Sequence, residues 1–271
     1  MNPEDYTAIR VEIGDDGVVS ATLNRPDQLN AVIGRMHTEM SRLAADFDYD
    51  PSAKVLLITG EGRAFAAGTR ESMMEFLESQ DAAAPMSEDG GDVWFESRRI
   101  IDSILECRKP IVSAVNGFAM GLGANIALLC DVVVAGRSAV FADPHVNMGL
   151  GAGDGGQVIW PLLMGVNRAK YYLMTGEMVK ADEAERLGLV NFVVDDDQLF
   201  EKAREIAARL ARGPLQAIIA SKVPINQWMR AQAAQILPLS MAMEGANFHT
   251  DDAQEARKAF LENRKPKFTG R

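Results

Sequence analysis

The chain has 271 residues, of which 47% are hydrophobic and 24% charged, a balance typical of a globular protein with a substantial core. Its net charge of −10 argues against general nucleic-acid binding. No apolar run is long enough to span a bilayer, and the N-terminus lacks the features of a signal peptide, so we expect a cytoplasmic protein without membrane contact. Cys107 and Cys130 lie in apolar surroundings and are predicted to be buried thiols.

Strands and helices alternate through the first half of the chain. Apolar residues predict strands at Ile9–Ile13, Val18–Leu23 and Val55–Gly60. The third of these is a short, continuously apolar run, as expected for a strand covered on both faces of a sheet. A helix between the second and third strands is predicted by apolar residues at helical spacing, namely Met36, Met40, Leu43 and Phe47.

An acidic stretch from residue 77 to residue 92 contains small residues, Gly and Pro, and predicts a loop. It is interpreted either as a mobile lid over a site or as a disordered surface insertion. Beyond it the pattern predicts a helix over 94–105, a strand at Ile111–Val115, a helix that starts at Ala124, and two further strands at 131–135 and 139–142.

From about Pro161 onward the chain is mostly helical, with a brief extended segment at 188–194. Strand–helix alternation followed by helices predicts an α/β fold with an α-helical C-terminal portion. We divide the chain into a core of residues 1–200 and a helical region of residues 201–271. The last stretch is basic, and it is either a solvated tail or, at a pocket mouth, a group of ligands for a phosphorylated cofactor.

Two glycine-containing turns give the first indication of chemistry. One is the segment 64–69, after the Val55–Gly60 strand, and the other is Gly121-Leu122-Gly123, before a predicted helix. Glycine allows close approach of a ligand to the backbone, and a helix N-terminus offers unpaired N–H groups. Two such N–H groups directed at one carbonyl oxygen would stabilise an enolate. Either turn alone is better explained by tight packing.

Together these segments resemble the crotonase (enoyl-CoA hydratase/isomerase) superfamily over nearly the whole chain. The resemblance implies a spiral of ββα units, assembled as a homotrimer or a dimer of trimers. It also implies coenzyme A thioester substrates, whose carbonyl is polarised by the backbone N–H groups of Thr69 and Leu122. Neighbouring pocket positions fall on Ala67, Gly68 and Asn125. The matching segments are residues 24–26, 29–31, 64–68, 116–121, 128–131, 174–176 and 184–190.

The same resemblance implies how coenzyme A is held. Arg25 lies where the family commonly has a basic residue near the nucleotide. Phe248 and Lys265 belong to an ending that resembles the terminal helix that helps to bind CoA from a neighbouring subunit, so residues 201–271 are expected to serve trimerisation and CoA binding. No permanently bound cofactor is expected, because CoA is part of the substrate. The Cys and His spacing implies no metal site.

The chain departs from the hydratases of this family at two positions. Their two catalytic glutamates fall on Asn125 and His145, and an amide cannot do acid–base work near neutral pH. His145, Asp154 and Glu244 instead resemble the catalytic residues of the carbon–carbon-bond hydrolases of the superfamily, typified by 6-oxocamphor hydrolase. Those enzymes cleave β-diketones by a retro-Claisen reaction.

The resemblance implies a role for each of these three residues. His145 would deprotonate a water molecule directed at a ketone, and Glu244 would hold the imidazole in one tautomer. Asp154, with its pKa raised by burial, would return a proton to the enolate. It has other possible roles, as a nucleophile or in moving a proton along an acyl chain.

Simpler interpretations stand beside these roles. His145 is explained equally by a hydrogen-bonded loop, Asp154 by capping of the following helix, and Glu244 by an exposed helix position. The leading prediction is retro-Claisen hydrolysis of a β-keto or β-diketone substrate. The alternatives are an enoyl-CoA hydratase/isomerase homologue in which Asp154 alone moves protons, and a catalytically decayed acyl-CoA-binding protein. A further histidine, His37, is expected to be exposed.

Overall fold

The computed structural model describes residues 1–69, 72, 74 and 93–271, so the acidic stretch at 77–92 lies outside the described residues. The strands within these ranges are β1 (Ile9–Ile13), β2 (Val18–Leu23), β3 (Val55–Gly60), β4 (Ala64–Ala66), β5 (Ile111–Val115), β6 (Phe118–Met120), β7 (Val132–Gly136), β8 (Val140–Ala142), β9 (Val179–Lys180) and β10 (Phe192–Val194). They form a six-stranded sheet in the order β1-β2-β3-β5-β7-β10 and a four-stranded sheet in the order β4-β6-β8-β9.

Three successive strand pairs build a spiral. In each of the pairs β3/β4, β5/β6 and β7/β8, the first strand joins the larger sheet and the second joins the smaller. Neighbouring turns of the spiral pair in parallel in both sheets. The α/β fold and the predicted spiral of ββα units are confirmed.

Helices cover both sheets and form the C-terminal portion. In the described ranges they are α1 (Arg35–Tyr49), α2 (Val93–Glu106), α3 (Leu122–Leu129), α4 (Gly156–Met164), α5 (Val166–Thr175), α6 (Ala181–Leu187), α7 (Leu199–Arg212), α8 (Leu215–Asn247) and α9 (Asp251–Leu261). None of these helices combines the length and the apolar character needed to cross a membrane. The cytoplasmic location stays a prediction.

The main core lies between the sheets and the helices α1 to α4. The apolar side of α1 packs on α2, and every residue that predicted α1 is buried. The four apolar residues at positions 100, 101, 104 and 105 of α2 are buried as well. Cys107 and Cys130 are free buried thiols, as predicted.

Helix α7 covers the outer face of the larger sheet. Its residues Leu199, Ala203 and Ala207 pack in a second apolar cluster with Val55 and Val112, from β3 and β5. Burial on this side explains why β3 is apolar along its whole length. The proposed boundary between residues 200 and 201 falls inside α7, and the division into two regions stays a prediction.

The prediction that His37 is exposed is wrong. Its side chain lies between α1 and α2, where Nδ1 is 2.9 Å from Glu96 Oε2 and Nε2 is 2.9 Å from Ser97 Oγ. The residue is 4% exposed. Both ring nitrogens have partners on α2, so the imidazole can be buried without losing its hydrogen bonds.

The His37→Ala variant is expected to be less stable by about 2–3 kcal/mol, because it removes two buried hydrogen bonds and leaves a cavity. The free energy of unfolding in urea measures this loss. The matched control is His249→Ala, at an exposed position, which should change stability by less than about 0.5 kcal/mol. Equal stability of the two variants would contradict a stabilising role for the His37 network.

Candidate active site

One edge of the smaller sheet brings the predicted site segments together. Strands β4, β6 and β8 are parallel neighbours, so their C-terminal ends lie along the same edge. Thr69 follows β4, Leu122 follows β6, and His145 follows β8. Segments far apart in the sequence are therefore neighbours because of the spiral.

Leu122 is the first residue of α3, which begins two residues earlier than predicted. Gly121 caps the helix with a φ of 53°, a conformation that favours glycine. Gly123 allows the helix to approach β4 closely, because a Cβ there would lie 2.3 Å from the carbonyl oxygen of Ala66. The backbone N–H of Leu122 thus lies at a helix N-terminus beside the end of β4, and its role as an oxyanion donor stays a prediction.

The second predicted donor already has an acceptor in this structure. The Thr69 N–H donates to Ser72 Oγ at 2.8 Å. The preceding N–H groups of Ala67 and Gly68 donate to the Leu29 carbonyl, at 2.9 and 3.4 Å. A bound carbonyl oxygen would have to replace the Ser72 hydroxyl at Thr69, so the role of Thr69 in an oxyanion hole stays a prediction.

His145 begins a short 3-10 helix, His145–Met148, directly after β8. Its ring lies against Gly121, where a Cβ would come within 3.3 Å of the ring carbon Cε1. Nδ1 is 2.5 Å from Asp143 Oδ1. The imidazole is therefore held between the start of α3 and a buried carboxylate.

The other ring nitrogen faces the two remaining predicted residues. His145 Nε2 is 3.5 Å from Asp154 Oδ2 and 3.6 Å from Glu244 Oε1. The three side chains are 19%, 14% and 7% exposed, respectively. The structure thus brings His145, Asp154 and Glu244 into one cluster, and Glu244 is not an exposed helix residue.

Asp154 does not cap the helix that follows it. The N-cap of α4 is Gly155. Within the described ranges, no side chain caps the N-terminus of this helix with a hydrogen bond. Asp154 Oδ1 instead accepts a hydrogen bond of 3.0 Å from Asn125 Nδ2. Asn125 Oδ1 accepts in turn from Trp160 Nε1 at 3.2 Å. Asn125 therefore holds one oxygen of Asp154 and leaves the other directed at His145.

Glu244 reaches the cluster from the last turn of α8. Ser240, one turn earlier, donates to Gln157 Oε1 at 2.8 Å, and Asn247 accepts from the Gly151 N–H at 3.0 Å. These contacts tie α8 to the loop before α4. Gly153 makes room for the carboxylate, because a Cβ there would lie 2.2 Å from Glu244 Oε2.

The surroundings raise three pKa values in the cluster. Burial alone would lower the pKa of His145, but the carboxylates of Asp154 and Asp143 outweigh it and raise that pKa well above 6.5. Burial raises the pKa of Asp154 to about 6, against the opposing charge of His145. Burial raises the pKa of Glu244 to about 8. These shifts favour a charged imidazole at neutral pH, beside carboxyl groups that ionise less readily than they would in water.

Comparisons with known proteins agree with the fold. The sequence profile of the family described as Enoyl-CoA hydratase/isomerase matches residues 14–271. The chain belongs to this family. It is thus an enzyme of the crotonase superfamily, as predicted from the motifs in the sequence.

Relatives in the enoyl-CoA hydratase/isomerase family carry more than one name. The crotonyl-CoA hydratase of Syntrophomonas wolfei is 35% identical over 91% of this chain and 92% of its own length. The crystal structure of an enoyl-CoA hydratase/isomerase from Mycobacterium paratuberculosis has a TM-score of 0.84 at 34% identity, covering 94% of this chain and 99% of that one. A β-diketone hydrolase from the cyanobacterium Anabaena has a TM-score of 0.77 at 27% identity, covering 90% and 95%.

Asp143 is the residue of this family member that sequence reasoning missed. Glu244 was expected to hold the imidazole tautomer, but the structure places it beside Nε2, and Asp143 occupies the Nδ1 side instead. Two signals were available in the sequence. Asp143 lies two residues before His145, and it directly follows an apolar strand, where an ionisable side chain needs a partner.

The cluster also has the composition of a possible metal site. Within the part of the chain that the structure describes, single ligand atoms of Asp143, His145 and Asp154 lie within 4.8 Å of one another. The direct contact between His145 Nδ1 and Asp143 accounts for this arrangement as a hydrogen-bond network. The prediction of no metal site was based on the spacing of Cys and His and did not consider carboxylates as ligands. It stays a prediction.

The residues expected to hold coenzyme A lie in two regions. Arg25 Nη1 donates to the Ile33 carbonyl at 3.0 Å, next to the start of α1. Phe248 follows the last residue of α8, and Lys265 is exposed in the tail after α9. This tail folds back on α9 and lines a cavity of about 600 Å³, which mixes acidic and basic side chains. The CoA-binding roles of Arg25, Phe248 and Lys265 stay predictions.

Proposed function

We propose that the protein hydrolyses a carbon–carbon bond of a β-keto or β-diketone substrate by a retro-Claisen reaction. The arrangement of Asn125 carries this proposal. Hydratases of the family have a catalytic glutamate there, whereas this amide is fully buried and bonded to both Asp154 and Trp160. An amide cannot deprotonate a water molecule, and this one already donates to Asp154 and accepts from Trp160. The acid–base groups that remain are those of His145, Asp154 and Glu244.

The first step uses the proton shared by His145 and Asp154. Besides the proton on Nδ1, the pair shares one exchangeable proton, and moving it from Nε2 to Asp154 Oδ2 creates a neutral imidazole beside a carboxylic acid. The two atoms are 3.5 Å apart. The free Nε2 then accepts a proton from water, whose oxygen adds to a ketone carbon of the substrate.

The second step breaks the bond between that carbon and the carbon between the two carbonyls. The electron pair moves into the second carbonyl as an enolate, whose oxygen the Leu122 N–H would stabilise. Asp154 then returns a proton to the enolate carbon. One product is a carboxylic acid and the other a ketone or thioester, so the net reaction consumes one water.

A coenzyme A thioester is the substrate class we favour. The family profile and the names of the hydratase relatives support it, and Arg25, Phe248 and Lys265 are the proposed contacts to CoA. A β-diketone without CoA is the other substrate form, supported by the name of the Anabaena structure. Parallel assays with a β-keto acyl-CoA and a cyclic β-diketone decide whether CoA is required.

Enoyl-CoA hydration is the second candidate function. The crotonyl-CoA hydratase of Syntrophomonas wolfei and the short-chain enoyl-CoA hydratase of Clostridium acetobutylicum are 35% and 33% identical to this chain. By overall similarity, these names favour hydration over hydrolysis. The acid–base groups of the site favour hydrolysis, because hydration in this family depends on the two glutamates replaced by Asn125 and His145.

Isotope incorporation tests the proposed reaction. Turnover in H₂¹⁸O should place one labelled oxygen in the new carboxylate, and turnover in D₂O should place one deuterium on the carbon that was the enolate. A product that retains the original carbon skeleton and gains a hydroxyl group would support hydration and contradict the proposal.

The pH dependence of kcat/KM is expected to be bell-shaped. The rate should rise through pH about 6, as Asp154 ionises and can accept the proton of Nε2. It should fall through pH about 8, as Glu244 loses its proton and adds a negative charge beside Nε2. The Glu244→Gln variant should therefore lose the alkaline limb. An unchanged alkaline limb in this variant would contradict the role of Glu244.

We also propose the predicted trimer or dimer of trimers. Large apolar side chains lie exposed along α8, among them Ile225, Trp228, Leu239 and Met243. Such a surface is typical of a subunit contact. Light scattering of the purified protein should give three or six times the 29.5 kDa chain mass, and a monomer would contradict the assembly.

A further inference from the structure

Asp143 lies directly behind the imidazole of the cluster. It follows the last residue of β8, its side chain is 0% exposed, and Oδ1 is 2.5 Å from His145 Nδ1. A carboxylate with no solvent contact is costly unless a charged or hydrogen-bonded partner compensates it. His145 is the partner that this position provides.

The three carboxyl groups around His145 divide between its two nitrogens. Asp154 and Glu244 approach Nε2, at 3.5 and 3.6 Å, while Asp143 approaches Nδ1. Gly121 packs against the ring carbon Cε1 between the two nitrogens. An acceptor at Nδ1 keeps a proton there when the ring is neutral, and Nε2 then carries the lone pair.

The second oxygen of Asp143 is restricted to one place. Oδ2 is buried and makes no hydrogen bond within the described ranges. It faces the backbone of Gly156, where a Cβ would come within 2.2 Å. Gly156 therefore makes space for the carboxylate, and the hydrogen-bonding capacity that Asp143 uses is directed at His145.

We propose that Asp143 is a positioning residue that keeps a proton on Nδ1 of His145 and so reserves Nε2 for proton exchange with Asp154 and water. This role of Asp143 rests on the proposed function in one respect, namely that water is the group that Nε2 deprotonates. The orientation of the ring and the site of its proton are properties of the protein without substrate.

NMR of the ¹⁵N-histidine-labelled full-length protein tests the assignment without a substrate. The chain has three histidines, and a His145→Gln variant identifies the signals of His145 by their loss. The expected result is a strongly deshielded proton on Nδ1 of His145 in the unmodified protein. A deshielded proton on Nε2 instead would overturn the proposal, whatever reaction the enzyme catalyses.

An Asp143→Asn variant gives the second readout. The deshielded proton should disappear, and the pKa of His145 should fall because a neighbouring negative charge is lost. The kcat of whichever reaction the enzyme catalyses should fall about 100-fold with little change in KM. Asp182→Asn, at an exposed ion pair with Arg137, is the matched control and should keep full activity.

These outcomes separate the proposal from the proposed function. An Asp143→Asn enzyme with unchanged His145 signals and unchanged kcat would overturn the positioning role. A protein with the expected Nδ1 proton and no activity on β-diketones or β-keto thioesters would refute the proposed function alone. If Asp143→Asn does not fold, the unmodified protein still tests the positioning role, through the ring nitrogen of His145 that carries the deshielded proton.

Discussion

Replacing His145 with alanine is expected to lower kcat for carbon–carbon bond hydrolysis by about 10³-fold or more. In the proposed mechanism this ring is the group that takes a proton from water, and general-base catalysis contributes about 10²–10⁴ to a rate. The variant also leaves three carboxyl groups without their shared cation, so the loss should exceed that of a base acting alone. Steady-state kinetics on a cyclic β-diketone measures it.

His249→Ala is the matched control for this variant, because His249 is exposed and lies outside the cluster. It should keep full activity. A His145→Ala enzyme that retains activity within about 10-fold of the unmodified enzyme would contradict a general-base role. It would mean that Asp154 moves the protons of the reaction without His145.

Replacing Asp154 with asparagine is expected to lower kcat by about 10²–10³-fold. Asn can still accept a hydrogen bond from Asn125, so the loop should keep its place. It cannot take the proton from Nε2 or return it to the enolate, so His145 remains an imidazolium at neutral pH. Raising the pH should therefore recover part of the activity, because a neutral imidazole becomes populated as the pH rises.

The Asp182→Asn control should match the unmodified enzyme at every pH. The informative comparison is the ratio of rates at pH 9 and pH 7. This ratio should be larger for Asp154→Asn than for the unmodified enzyme, whose rate falls above pH 8. An Asp154→Asn enzyme with full activity at pH 7 would mean that Asp154 only supports the loop.

The elements with regular hydrophobic patterns could be predicted from the sequence. The two N-terminal strands and β3 have the predicted bounds, and α1 buries the residues that predicted it. The predicted start of α3 was two residues too late. The glycines at its N-terminus are typical of a turn, and their close packing depends on the tertiary structure. His37 was misplaced for a similar reason, since its partners Glu96 and Ser97 are about 60 positions away in the sequence.

The site residues that could be predicted from the sequence are those at positions that match the crotonase superfamily. His145, Asp154 and Glu244 were identified from family positions, and the fold brings them together. Their mutual arrangement was not predictable, because each comes from a different loop or helix. Pairing of Asp143 with Nδ1, and of Asn125 with Asp154, depends on side-chain directions that no sequence spacing specifies.

We expect this member of the enoyl-CoA hydratase/isomerase family to hydrolyse carbon–carbon bonds and not to hydrate enoyl thioesters. The most direct measurement compares turnover of crotonyl-CoA, followed by loss of its enoyl absorbance, with turnover of cyclic β-diketones and β-keto thioesters by the same enzyme preparation. We expect cleavage of at least one dicarbonyl substrate at about 1 s⁻¹ or faster and no detectable hydration. Hydration of crotonyl-CoA in that range, without cleavage of any dicarbonyl substrate, would contradict the claim.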